Sequence, residues 1–290
     1  MPDNQPAPSP LNHGDFFTLD GWSVLALDGP DAVAFAHAQF ASDVQKLDVG
    51  TWHWSTWLNP KGRVIALFAL LRTSAESLRL VLPDANATLV GDALRRFVFR
   101  RKVTLTPRAE LHVAGAFSIP RLPRGALEGA EDAADGLRLA IDAGRTVRIG
   151  SAPAPHSAQA LDAWNVADLR AGIPRLPAPQ AEQWTPQQLG LERLDAYSVS
   201  KGCYPGQEIV ARTHFLGKAK RQLVLLRVAD GVGAGADVVQ DGRAIGSVVA
   251  AAGTAPRLAL AVLPLELAAS PLAAGDEPAL PEPFQETPPP

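Results

Sequence analysis

A single cysteine, Cys203, stands in a chain of 290 residues. An internal disulfide is therefore excluded, and so is any metal or cluster site built from the chain's own thiolates. Long apolar runs are also missing. The longest, residues 64–71, falls far short of the roughly 20 residues that a bilayer-spanning helix needs. The first ten residues are proline-rich and polar, with no basic segment leading into an apolar one, so no secretory leader is expected. A soluble, cytoplasmic protein with no membrane partner and no metal site of its own is the expectation. Charge of one sign is lacking too. A formal net charge of -3 gives the whole molecule no strong pull toward nucleic acid or anionic lipid.

Hydrophobic residues at 47% against 20% charged are enough to bury a sizeable core, in two or three packed domains. Residues 1–15 and 285–290 read as disordered ends. Between them, alternation predicts strands near 22–26, 51–58, 63–71, 77–82, 102–106, 111–117, 137–141 and 146–149. Helices are expected over 31–40, over 83–99, and in a segment ending near Gly172, with Gly172 as its stop and Pro174 beyond. Residues 118–136 are rich in Gly, Ala and Pro and read as a connection within a body spanning 16–217. From 218 to 284 the pattern changes to short strands separated by Gly-rich turns, as in a small β-barrel. The fold class is α+β: mixed sheets and helices followed by an antiparallel barrel.

The informative segment is Ser200-Lys201-Gly202-Cys203-Tyr204-Pro205-Gly206-Gln207-Glu208-Ile209-Val210-Ala211-Arg212. Pro205 suits the first position of a helix whose apolar side includes Ile209 and Val210. The residues before it then lie at that helix's positive end, where backbone N–H groups lack partners. Gln207 and Glu208 are able to cap those donors or bind a ligand, and Lys201 and Arg212 add cationic donors. Cys203, close to the helix start and to Lys201, is the candidate reactive thiol. Against this stand bland readings: a lone buried cysteine, an ordinary helix start and solvated surface charges. The run Arg95, Arg96, Arg100, Arg101 and Lys102 reads as the solvated end of a helix in preference to an anion site or a contact with an RNA phosphate.

Lys-Gly-Cys-Tyr-Pro-Gly-Gln-Glu, residues 201–208, resembles the signature octapeptide of YgfZ-type folate-binding proteins, a branch of the glycine-cleavage aminomethyltransferase (GcvT-like) superfamily. Weaker resemblances occur in order along residues 16–280. They include Gly29-Pro-Asp-Ala-Val-Ala-Phe with Gln39 and Asp43, Asn59-Pro-Lys-Gly-Arg-Val, Arg95-Arg-Phe-Val-Phe-Arg-Arg-Lys-Val, Arg170-Ala-Gly-Ile-Pro, Thr185-Pro-Gln-Gln-Leu and Ala244-Ile-Gly-Ser-Val. The resemblance implies a folate-binding body with a central cavity and a C-terminal barrel. It implies tetrahydrofolate, or a one-carbon derivative, as cofactor. By position, Trp22 and Trp164 match the family's folate-associated tryptophans, and Lys201, Tyr204, Gln207, Glu208 and Arg212 belong to the cofactor-binding set. It further implies an accessory role in assembling or repairing iron–sulfur client enzymes, including tRNA-thiomethylating ones, with tRNA a partner only indirectly.

Three positions depart from the superfamily pattern, one of them Cys203, which stands where the aminomethyltransferase motif carries aspartate. Ala66 stands where aminomethyltransferases carry a catalytic aspartate, and a methyl group moves no proton. A true aminomethyltransferase is therefore not expected, and a one-carbon transferase or demethylase using another base is the alternative. Arg170 stands where an acidic residue meets the pterin, and a guanidinium accepts no hydrogen bonds.

Overall fold

The computed structural model describes residues 14–117, 122–123, 125–215, 217 and 219–285. Residues 1–13 and 286–290, expected as frayed ends, and residues 118–121 and 124 of the expected connection lie outside the described residues.

The chain opens with β1 (Phe17–Thr18), β2 (Ser23–Asp28), α1 (Ala32–Gln39), β3 (Thr51–Leu58), β4 (Val64–Ser74), β5 (Ser77–Leu82), α2 (Ala87–Arg95) and β6 (Thr104–Pro107). Five of these strands form an antiparallel sheet in the order β3-β4-β5-β2-β6. Its strands carry apolar side chains on both faces, as a sheet covered on both sides requires. One face packs with Phe35, Ala36, Val90 and Leu94 of α1 and α2. The other belongs to the main cluster, with Trp52 and Trp54 two residues apart on β3 and Trp57 turned to the helix side.

A second sheet is built from β7 (His112–Phe117), β8 (Leu127–Glu128), β9 (Leu137–Asp142) and β10 (Arg145–Gly150), in the order β1-β7-β10-β9-β8. The short β1 thus leaves its sequence neighbours and pairs across to β7, with Phe17 opposite Gly115. Next comes α3 (Ala158–Arg170), capped by the Ser157 hydroxyl, which accepts from the Ala160 N–H at 3.2 Å. Gly172, with φ +67°, stops it as expected.

After α4 (Gln207–Phe215), strands β11 (Arg221–Val228), β12 (Asp237–Gln240), β13 (Arg243–Ala252), β14 (Arg257–Pro264), β15 (Leu272–Ala274) and β16 (Glu277–Glu282) close an antiparallel barrel in the order β11-β14-β13-β12-β15-β16. Closure comes from β16 pairing back onto β11, with Leu226 opposite Pro281. Among the described residues, no helix is long and apolar enough to cross a membrane.

Three expectations need correction. The helix expected over 83–99 runs only from Ala87 to Arg95, after which the chain turns. The connection near 118–136 carries the strand β8, and Glu131 in it binds Arg79 of β5 at 2.5 Å. The expected free ends are tied where they are described. Gly14 N–H donates to the Phe117 carbonyl at 3.0 Å, and Gln285 N–H donates to the Arg170 carbonyl at 2.8 Å. Phe284 lies under the Arg193 guanidinium at 4.0 Å, a cation–π contact that holds the tail to the body.

Candidate functional site

The octapeptide forms a loop that enters α4 at Gln207, not at Pro205. Gly206 adopts φ +80°, a left-handed conformation that interrupts any helix begun at Pro205. Pro205 is therefore part of the loop, and the helix gains its first turn from Gln207 and Glu208.

Lys201 is buried, and its ammonium is turned away from solvent. It donates to the carbonyls of Phe40 at 2.5 Å, Ser42 at 3.1 Å and His37. These carbonyls lie at and just beyond the C-terminal end of α1, where orphan C=O groups and the negative helix end attract a cation. The Tyr204 ring lies 4.9 Å from the same nitrogen. Burial pushes the Lys201 ammonium down to about 8, which leaves it charged at neutral pH. Tyr204 is buried, donates to the Ser198 carbonyl at 2.7 Å, and is pushed up to about 12 by that burial. Gln207 Nε2 donates to the Lys201 carbonyl at 3.1 Å. Lys201 and Tyr204 brace the loop against α1 and the core, and Gln207 ties the loop to the start of α4.

Cys203, Glu208 and Arg212 are exposed. Arg212 borders a cleft of about 590 Å³ together with Arg63 and Lys220, so three cations meet there. Arg63 is held in place by the Gln183 carbonyl at 2.8 Å and Gln188 Oε1 at 3.2 Å.

The two tryptophans singled out by the resemblance do meet. Their rings lie 6.4 Å apart and 80° from parallel, an edge-to-face pair. Trp164 is fully buried on α3, with the Arg145 guanidinium 4.8 Å from its ring centre and Phe17 and Phe117 at 6.0 and 5.8 Å. Its ring is walled in and has no face free for a ligand. Trp22 is half-buried, with the Arg175 guanidinium at 5.9 Å. The Nε1–H groups of both are buried and have no partner among the described residues.

Around this pair lies an ion network that sequence reading missed. Arg145 binds Asp168 at 2.6 Å and Asp142 at 2.7 Å, and Arg175 binds Asp84 at 2.7 Å and approaches Asp168 at 3.6 Å. Arg170 itself is half-buried and uses its backbone carbonyl to hold Gln285. Ala66 is buried in the helix-side core of the first sheet, opposite Trp57. A second polar cluster was also unforeseen: the Ser42 hydroxyl sits 2.6 Å from Ser55 Oγ and 3.0 Å from His53 Nε2.

Among the described residues no hydrogen bond or ring contact joins the tryptophan pair to the octapeptide loop. Trp164, Tyr204 and Val210 belong to the same apolar cluster, with Trp22 packed against it. The orphaned Trp22 N–H is a donor in want of an acceptor, and a pterin offers a carbonyl oxygen and ring nitrogens of that kind. An acceptor of that kind placed beside Trp22, with Trp164 as the wall behind, would satisfy this donor.

No protein-family model matches the chain. In three dimensions it resembles the glycine cleavage system aminomethyltransferase T of Bartonella henselae, with a TM-score of 0.71 over 93% of this chain and 85% of that one at 18% identity. The class is therefore that of the aminomethyltransferase T fold. In sequence the chain is 29% identical over 266 residues to the tRNA-modifying protein YgfZ of Cronobacter sakazakii, covering 84% of this chain and 79% of that protein. The Escherichia coli protein of the same name is 27% identical over 252 residues, 78% and 76% of the two chains. An uncharacterised Haemophilus influenzae protein is 28% identical over 215 residues, 73% of each. The similarity to proteins named YgfZ therefore extends over most of the chain, which has the aminomethyltransferase T fold.

Proposed function

We propose that the chain is a cytoplasmic tetrahydrofolate-binding accessory protein that supports iron–sulfur enzymes of tRNA modification. The observation that carries this reading is the Trp22–Trp164 pair, with a half-buried indole whose N–H lacks an acceptor. In this reading Trp22 donates its in-plane N–H to an acceptor on the pterin edge, while Trp164 and Arg175 fix the Trp22 ring. The bound folate supplies one-carbon chemistry. Cys203, exposed on a braced loop, is the thiol offered to client proteins. The names carried by the sequence relatives support the link to tRNA modification, and the fold supports the link to folate. Aminomethyl transfer itself is not part of the reading, since Ala66 supplies no base and lies in the helix-side core.

Anaerobic calorimetry with tetrahydrofolate tests the cofactor. Saturable binding that Trp22→Ala weakens at least tenfold is expected, and an absence of binding by the natural sequence overturns the folate assignment. The thiol is tested in cells by Cys203→Ala, which should lower tRNA thiomethylation while the protein accumulates normally. Undiminished modification would refute it.

A further inference from the structure

The basic run from Arg95 to Lys102 is solvated, as expected, but only Arg95 belongs to the helix. At Arg95 the chain leaves α2 and makes successive turns, tied by Phe97 N–H to the Leu94 carbonyl at 2.9 Å and Arg101 N–H to the Val98 carbonyl at 3.0 Å. These turns put Phe97 and Phe99 outside, at 48% and 94% exposure. Phe99 holds φ 52°, a left-handed conformation that an aromatic residue rarely adopts. Burial of its ring does not account for that strain.

Charge surrounds these rings. Arg96, Arg100, Arg101 and Lys102 are all exposed, and none forms an ion pair among the described residues. The acids within reach are engaged elsewhere: Asp92 pairs with Arg95, and Asp31 accepts the backbone N–H of Lys102 at 2.6 Å, leaving the Lys102 ammonium free. Four uncompensated cations within seven residues form a local positive patch on a molecule whose net charge is -3. That mean charge conceals the patch.

We propose that this turn is an RNA-binding surface, with Phe99 and Phe97 stacking on unpaired bases and the flanking arginines holding phosphates. Flat rings interleaved with guanidinium groups match the recognition of splayed-out loop nucleotides, which offer π-faces and a charged backbone together. An anionic membrane fits less well. A surface-bound segment would present an amphipathic helix, and here the helix ends before the aromatic residues begin. The inference gives the chain a direct RNA contact in place of the indirect link expected from its sequence. It stands independently of the folate reading.

The test uses the full chain, an unmodified tRNA transcript, and fluorescence anisotropy at several salt concentrations. Saturable binding is expected, with affinity falling as salt rises. Arg100→Ala combined with Arg101→Ala should shallow the slope of log affinity against log salt by about 0.7 to 0.9 per lost phosphate contact. Phe99→Ala should weaken binding at least fivefold with the slope unchanged, the signature of lost stacking. Thermal midpoints and tetrahydrofolate titrations of the same variants serve as controls and should match the natural sequence. No saturable tRNA binding, variants that bind as the natural sequence does, or preferential binding to phosphatidylserine vesicles would each overturn the proposal.

Discussion

Gly206 of the octapeptide rests directly on Gly62 of the turn between β3 and β4. A Cβ added to Gly206 would lie 2.8 Å from the Gly62 Cα and 2.6 Å from the Asn59 carbonyl oxygen, both backbone atoms with little freedom to retreat. The constraint is reciprocal, since a Cβ on Gly62 would lie 2.9 Å from the Cβ of Ile209 on α4. Both glycines have positive φ, +80° and +69°. The Asn59-Pro-Lys-Gly turn and the octapeptide, two separate stretches of the family resemblance, are thus the two halves of one backbone contact.

Gly206→Ala should accordingly destabilise the protein by about 2–4 kcal/mol, combining the left-handed backbone penalty with overpacking. Urea denaturation should show a lower midpoint at an unchanged slope. A variant as stable as the natural sequence would mean that the loop can move away from the turn.

Lys201→Met tests whether the lysine serves the fold. Its ammonium satisfies carbonyls of His37, Phe40 and Ser42 at the end of α1, and a thioether donates nothing to them. A loss of about 2–3 kcal/mol is expected from the orphaned acceptors. If Lys201 were instead a ligand contact, the variant would keep its stability and lose only folate affinity.

How far all this was legible in the sequence depends on where each signal resides. β3 and β5 fall on the expected limits, because alternating side chains mark both and the Asn59-Pro-Lys-Gly turn ends β3. β12 and β15 are too short to show a pattern, and β16 carries Pro278 and Pro281, which argue against a strand until its place at the barrel closure is seen. The helix α2 was overextended because Phe97, Val98 and Phe99 continue an apolar pattern that the backbone abandons at Arg95. At the site, the octapeptide was visible but the task of Lys201 was not. Its partners are main-chain carbonyls, which every residue carries and no sequence pattern announces.

The polar cluster at Ser42 predicts a pH dependence. Burial pushes the His53 imidazole from the ordinary 6.5 down to about 4, so the folded protein keeps it neutral where the unfolded chain already binds a proton. The unfolded state therefore holds more protons between pH 6.5 and 4, and stability must fall as the pH drops through that window. The loss at pH 4 is on the order of 3 kcal/mol. Stability curves of His53→Gln should be flatter than those of the natural sequence over the same range, and parallel curves would count against the assignment.

Cys203→Ala should leave stability within about 0.5 kcal/mol, since the side chain is exposed and makes no contact that the fold depends on. Titration of the folded protein with a thiol-specific disulfide reagent should modify one equivalent without denaturant. Modification that requires unfolding would show the thiol to be shielded, and the client-facing role would go with it.

Trp22 and Trp164 should separate when replaced. Trp164 is walled in by Phe17, Phe117 and the Arg145 guanidinium, and Gly115 lies so close that a Cβ there would meet the indole at 2.8 Å. Trp164→Ala empties that space and should cost about 3–5 kcal/mol, so its effect on folate binding reports on the fold as much as on contact. Trp22 is half-buried and should tolerate Trp22→Phe with a loss near 1 kcal/mol, because the ring remains while the N–H is lost. Calorimetry on Trp22→Phe then isolates that single donor. Weaker tetrahydrofolate binding at nearly natural stability is expected if the orphaned N–H meets the pterin. Undiminished affinity would leave Trp22 a stacking surface alone.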